Sequence, residues 1–307
     1  MFKKSVALVL MGLVLSPALV CARPDRKGGA VEIVTTLFPT YDFAKQVGGE
    51  KVRVSLLLSP GVEAHSYEPK PADIVKIGKA VLFIYTGRLM EPWVDQMLRG
   101  VASQNLEVVD ASRGIELIRD EGRGELHRHS GQDPHIWLDP TNDQVIVDSI
   151  ASALAKADPA NADYYLINAR AYNAKLVDLD RRLKEALSSC KHRTLVYGGH
   201  FTFGYFVRRY GLDSVSPYEG FSPNAEPGPR AIAKLIETLK ESGMKTFYYE
   251  ELLDPKVARV IALETGAKPV LLHGAHNISK DELERNVTFL DIMEDNLKKL
   301  KIGLECQ

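Results

Sequence analysis

Four of the eight histidines in this 307-residue chain share one kind of address: His65, His135, His200 and His273 each lie beyond the carboxyl end of a stretch that reads as a β-strand. Neutral imidazole is a borderline-soft nitrogen donor. It suits zinc, which takes four ligands in a tetrahedron, whereas manganese and magnesium prefer carboxylate oxygens. Each histidine alone is equally well explained as a satisfied polar residue of a core. Four of them at strand ends point instead to one cleft in which the imidazoles meet around an ion. Because imidazole must be neutral to ligate, such a site is expected to lose metal as the pH falls through about 6.5. Of the other histidines, His276 competes with His273 for the fourth position. His127 and His129 lie in the polar, Gly-rich stretch 119–133, which is either a weak metal-collecting element or a solvated loop. His192 falls in a charged segment and reads as surface.

The elements that must position these residues follow from hydrophobic periodicity. Short apolar runs at 31–36, 52–58, 81–86 and 106–109 predict strands, and helical spacing between them predicts helices at 41–47, 71–79 and 91–99. A helix is expected at 142–157, followed by a break at Asp158-Pro159. Residues 160–187 contain no Gly or Pro and carry Leu166, Ala169, Leu176, Leu179, Leu183 and Leu187 near one stripe. At 1.5 Å per residue that helix extends about 40 Å, longer than a crossover needs and suited to a strut. Alternation then resumes, with strands expected at 194–197, 212–216, 245–249 and 269–272. Helices are expected at 201–210, 229–241, 255–265 and 280–300, the last opening on the capping-box pattern Ser279 to Glu282. The fold class is therefore α/β, with two lobes, each a parallel β-sheet flanked by helices, joined by one long backbone helix. In open sheets of this kind ligands bind at the carboxyl edges of the strands, where the four histidines fall.

Composition limits the alternatives. With 45% apolar and 26% charged residues the chain is neither disordered nor, at 39 basic against 40 acidic side chains, marked for nucleic acid. Residues 1–22 read as a cleaved export signal: Lys3 and Lys4, a short apolar stretch, Pro17, then Val20-Cys21-Ala22. Its removal leaves 37 basic against 40 acidic side chains, a net charge of −3. Lipid attachment at Cys21 is the alternative, against which the bulky Val20 argues. No later apolar run approaches the ~20 residues of a membrane helix. The organisation expected is a signal at 1–22, an N-terminal lobe at 23–157, the linking helix at 158–189 and a C-terminal lobe at 190–307. The two remaining cysteines, Cys190 and Cys306, are either a disulfide formed in an oxidising compartment or two buried thiols.

The motifs around these histidines carry a resemblance. They are Glu63-Ala64-His65-Ser66-Tyr67-Glu68-Pro69-Lys70-Pro71-Ala72-Asp73, Asp133-Pro134-His135-Ile136-Trp137-Leu138-Asp139-Pro140, His200 with Phe203-Gly204-Tyr205-Phe206, and Ser222-Pro223-Asn224-Ala225-Glu226-Pro227. Together they resemble the solute-binding proteins of zinc and manganese ABC importers, specifically those of zinc uptake, across essentially the whole mature chain. The resemblance implies two lobes on one backbone helix, metal held between them by His65, His135 and His200, and delivery as a monomer to an ABC permease. It also implies an acidic, His-rich loop where this chain has only the short stretch 119–133. At the end of the last strand the family commonly has an Asp-Pro pair, and this chain has His273-Gly274. His273 is the expected fourth ligand, which would favour zinc further over manganese, with His276 or water as the alternative.

Other readings remain open at this stage. A manganese-binding homologue would share the motifs. A zinc hydrolase would need an open metal position and a base such as Glu63, Glu226 or Glu250, but the chain has no His-Glu-x-x-His motif and no nucleophile elbow. A structural or adhesive surface protein would use the metal only to hold its lobes together. No Gly-x-Gly-x-x-Gly follows the first strand, so a dinucleotide enzyme has little support. Tyr67 and Trp137 read as packing beside the ligands, and Glu226 and Glu250 as helix-entry and strand-end residues, which the resemblance implies either buttress the cleft or meet the permease.

Overall fold

A computed structural model describes residues 29–103, 105–118, 131–200, 202–218, 227–251 and 256–307. The expected signal segment, Cys21, the histidines His127 and His129, and Glu226 lie outside the described residues. The first half alternates β1 (Val31–Thr35), α1 (Phe38–Gly48), β2 (Val52–Leu56), α2 (Pro71–Lys79), β3 (Leu82–Tyr85), α3 (Val94–Arg99) and β4 (Glu107–Asp110). All four strands are parallel, in the order β2-β1-β3-β4, and the central β3 is buried along its length. Local chemistry sets the helix starts. Pro39 stands in the first turn of α1, and Asp73 accepts from the Lys70 N–H (2.7 Å) to open α2. Helix α3 starts at Val94 rather than at the expected 91, because the buried Glu91 carboxylate folds back to accept from the Thr86 and Gly87 N–H groups (3.1 and 2.9 Å).

Two helices follow, α4 (Pro140–Ala157) and α5 (Ala162–Ser188). Asp139 caps α4 by accepting from the Thr141 N–H at 2.8 Å. The 27 residues of α5 bury Tyr165, Ala169, Tyr172, Leu176, Leu179, Leu183 and Leu187 on one stripe. That stripe packs on α1 and α4 at one end. The second half then runs β5 (Thr194–Val196), α6 (Gly204–Tyr210), β6 (Asp213–Val215), α7 (Pro229–Ser242), β7 (Thr246–Tyr249), α8 (Lys256–Thr265), β8 (Lys268–Leu271), α9 (Lys280–Glu284) and α10 (Phe289–Gly303). Strand pairs β5-β6 and β7-β8 are parallel and meet through a bridge between Tyr197 and Tyr248, giving a second parallel array. The other end of α5 packs on α6 and α10, so this helix touches elements of both halves.

Two expectations need correction here. The single helix expected over 280–300 is two helices, because Asn286 takes a left-handed φ of 55° and Thr288 starts a fresh capping box with Asp291. The second of them, α10, reaches back to the first half: the Phe289 ring lies 5.0 Å from that of Phe43, and its N–H donates to Asp42 (3.1 Å). His192, expected at the surface, is only 11% exposed in its side chain and lies 3.5 Å from Glu305. Cys190 and Cys306 form a disulfide, which pins the chain terminus to the segment after α5. No described helix is long and apolar enough to cross a membrane.

Candidate metal centre

His65 lies in the loop between β2 and α2. Trp93 fixes that loop by donating from Nε1 to the Ala64 carbonyl (2.9 Å). Tyr67 packs its ring 5.1 Å from that of Trp93 and donates to Asp73 (2.7 Å). His135 follows β4 and precedes α4, fully buried. Asp133 accepts from the His135 backbone N–H (2.9 Å) and lies 2.8 Å from Nδ1. A carboxylate there takes the Nδ1 proton and leaves Nε2 as the lone-pair donor. His200 follows β5 and is 1% exposed, with Nδ1 2.5 Å from Glu250 at the end of β7. Gly199 makes this approach possible, since a Cβ there would stand 2.9 Å from the Glu250 carboxyl.

The three imidazoles converge. One nitrogen from each of His65, His135 and His200 lies within 4.8 Å of the others, and ring centroids are 5.5 to 6.5 Å apart. Nε2 of His65 and of His200 are buried with no hydrogen-bond partner among the described residues. A buried polar nitrogen without a partner is costly, and an ion between these rings would supply one.

His273 is not brought into this group. Its backbone is gripped by Asn296, which accepts from its N–H (2.9 Å) and donates to its carbonyl (2.8 Å). Its ring lies between carboxylates, Nδ1 3.4 Å from Glu251 and Nε2 3.7 Å from Glu282. His276, on the same loop, is also outside that group of nitrogens but lies against it: its ring centroid is 5.6 Å from that of His200 and 6.4 Å from that of Trp137. Glu251 lies 3.3 Å from its Nδ1. Gly274 leaves room for both, since a Cβ there would meet His276 at 3.0 Å and Glu251 at 3.5 Å. Glu251 was not singled out from sequence, although it sits at a strand end as the histidines do.

Electrostatics separate the two groups further. Burial, then the neighbouring His200 and His276, pushes His65 down to about 3. Burial pushes His200 down to about 4 against the pull of Glu63 and Glu251, and holds His135 well below the usual imidazole value. All three are therefore neutral at pH 7, and proton competition for metal moves well below the 6.5 expected from the free side chain. Burial also raises Glu250 to about 9, so its contact with His200 joins two neutral groups. For His273 burial acts downward, but Glu251 and Glu282 outweigh it and raise the imidazole above its ordinary value. The nearby His273, in turn, holds Glu282 down to about 2.

Comparison with known proteins bears on this geometry. The family described as ZnuA, zinc-uptake complex component A, periplasmic, matches residues 33–303. The high-affinity zinc uptake system protein ZnuA of Bacillus subtilis is 37% identical over 289 residues, covering 91% of this chain and 89% of that protein. The zinc-binding protein AdcA of Streptococcus pyogenes is 34% identical over 290 residues, but there the chain spans only 56% of the relative's length. Among solved structures, the Zn(II)-bound ZnuA-like domain of Streptococcus pneumoniae AdcA superposes with a TM-score of 0.76 at 32% identity, covering 90% of this chain and all of that domain. The resemblance carried by the histidine motifs thus extends over both sheets and the helix between them, and the chain belongs to the ZnuA family of periplasmic zinc-uptake components.

Proposed function

We propose that this chain is the zinc-binding subunit of an ABC metal importer, capturing Zn²⁺ between its halves and passing it to a membrane permease. The observation that carries the reading is the convergence of the half-buried His65 with the buried His135 and His200, all held neutral, with no hydrogen-bond partner on two of their nitrogens. An all-imidazole donor set suits zinc over manganese. His276, lying against His200, is the fourth donor in this reading, and His273 instead faces Glu251 and Glu282. A fourth protein donor closes the coordination shell to water, which fits a carrier and not a hydrolase. The ZnuA family is itself a component of zinc uptake, and the zinc-binding names of its relatives support the same cargo.

In the same reading residues 1–22 direct export, with lipid attachment at Cys21 as the alternative. Segments 23–157 and 190–307 are the two lobes, 158–189 links them, and the mature protein acts as a monomer. Titration calorimetry on metal-stripped protein tests the site. One zinc per chain, bound more tightly than manganese, is expected. Undiminished binding in a His65→Ala, His135→Ala, His200→Ala variant would overturn it.

A further inference from the structure

The loop 273–278 meets the His65 loop across the boundary between the two sheets, and one side chain makes the join. Asn277 is 6% exposed. Its Nδ2 donates to the Val62 carbonyl (2.7 Å), and its Oδ1 accepts from the Gly61 N–H (3.2 Å) and from the Ile278 N–H (2.7 Å). The amide is thus used at both ends, reading two successive backbone groups of the loop that carries His65. A second hydrogen bond crosses the same boundary: Trp137, two residues past His135, donates from Nε1 to the Gly274 carbonyl (2.8 Å).

Between these two anchors the loop holds an uncommon backbone. Ala275 is fully buried at a φ of 59°, left-handed space that a residue with a Cβ enters at a cost and keeps only when its surroundings enforce it. The Ala275 N–H donates to His273 Nδ1 (2.9 Å) and the Gly274 N–H to Glu251 (2.8 Å), so hydrogen bonds on several sides hold the turn. Its result is to face the His276 ring to His200 while Asn277 faces the opposite loop.

We infer that Asn277 is a positioning residue for metal capture, a latch that ties the loop carrying His65 to the loop carrying His276 so that the two donors advance or withdraw together. This rests on the reading of the three-histidine cluster as the metal site. An ion held by His65 on one side and by His200 and His276 on the other leaves only when those loops part. Parting them breaks both hydrogen bonds between Asn277 and residues 61–62. The latch therefore acts on residence time more than on capture, as most affinity tuning does.

The test uses the full metal-stripped chain reloaded with Zn²⁺, with release followed by transfer to a chromogenic chelator. Asn277→Ala is expected to release zinc about tenfold faster, the equivalent of two modest hydrogen bonds. Asn277→Asp, which sets a second acceptor against the Val62 carbonyl, is expected to release it at least as fast. Co²⁺ spectra should keep the same d–d bands in all three proteins, since no ligand is changed. Thermal unfolding with and without zinc separates positioning from general stability: the zinc-induced gain should shrink in both variants. Unchanged release rates, or equal losses in the zinc-free and zinc-loaded forms with the gain intact, overturn the latch. Absence of any zinc-induced gain in the unsubstituted chain overturns the reading of the site, and the latch with it.

Discussion

Two buried histidine clusters stand within one loop of each other and have opposite electrostatic characters. At His65 and His135 the principal influences are burial and other imidazoles, at His200 burial prevails over the pull of Glu63 and Glu251, and all three rings are held neutral. Around His273 the neighbours are Glu251 and Glu282, and an equally buried ring is held toward its charged form. Burial and placement after a strand are common to both. Desolvation disfavours the imidazolium at both places; at His273 the facing carboxylates outweigh it, whereas at His200 burial outweighs them.

The comparison is broken most decisively by removing the neutral cluster. His65→Ala, His135→Ala and His200→Ala together should abolish zinc binding in calorimetry. They should also remove the stabilisation that zinc gives the unsubstituted chain, about 4 kcal/mol when free zinc is a thousandfold above the dissociation constant. The contrast between His273 and His276 is sharper. His273→Ala removes a neighbour of the buried Glu251 carboxylate and should cost about 1–3 kcal/mol of folding stability while leaving one zinc per folded chain. His276→Ala should do the reverse, weakening zinc by about tenfold or more with a small effect on unfolding of the metal-free protein. If His273→Ala weakened zinc more than His276→Ala in folded protein, the assignment of the fourth donor would be wrong.

A smaller effect belongs to the residues behind the rings. Asp133→Asn should weaken zinc about 10- to 100-fold, the usual consequence of losing the carboxylate that orients a ligating histidine, with binding stoichiometry unchanged in the same titration. The remaining effect is on pH, and its sign differs between the clusters. His65 and His200 titrate at about 3 and about 4 in the folded chain, below the 6.5 of the unfolded one. As the pH falls below 6.5 the unfolded chain takes up protons that the folded chain refuses, so metal-free stability should drop by about 1.4 kcal/mol per pH unit for each ring. His273, raised in the folded state, contributes stability that is complete below 6.5 and is lost as the pH rises through its folded value. Urea denaturation across pH 4.5 to 8 should therefore show the acid-side slope reduced in His200→Ala and the alkaline-side loss removed in His273→Ala.

Much of this was legible in the chain. Strand and helix positions follow the 2.0 and 3.6 periodicities closely, and helix α2 has the expected bounds because Pro71 and Asp73 mark its start chemically. The strut was readable from 28 residues free of Gly and Pro. The break at Asn286 was not, since Asn and Thr interrupt a helix only when backbone and cap geometry cooperate. Three of the four histidines singled out by their position after strands are brought together in the structure. The separation of His273 from His276 was beyond reach, because it depends on Glu251, Glu282 and Asn296, which lie far off in sequence or on other elements. Asn277 carried no signal at all, its role being defined by backbone atoms 215 and 216 residues away.

The return of α10 onto α1 has a consequence for how the molecule comes apart. Phe43 and Asp42 already meet Tyr172 and Gln46, and Phe289 of α10 adds a further ring contact and a further N–H donor to them. The core of the first half is therefore completed by a helix from the second, so the two halves share one buried contact. The same contact predicts that the finished protein melts in one cooperative step and not half by half.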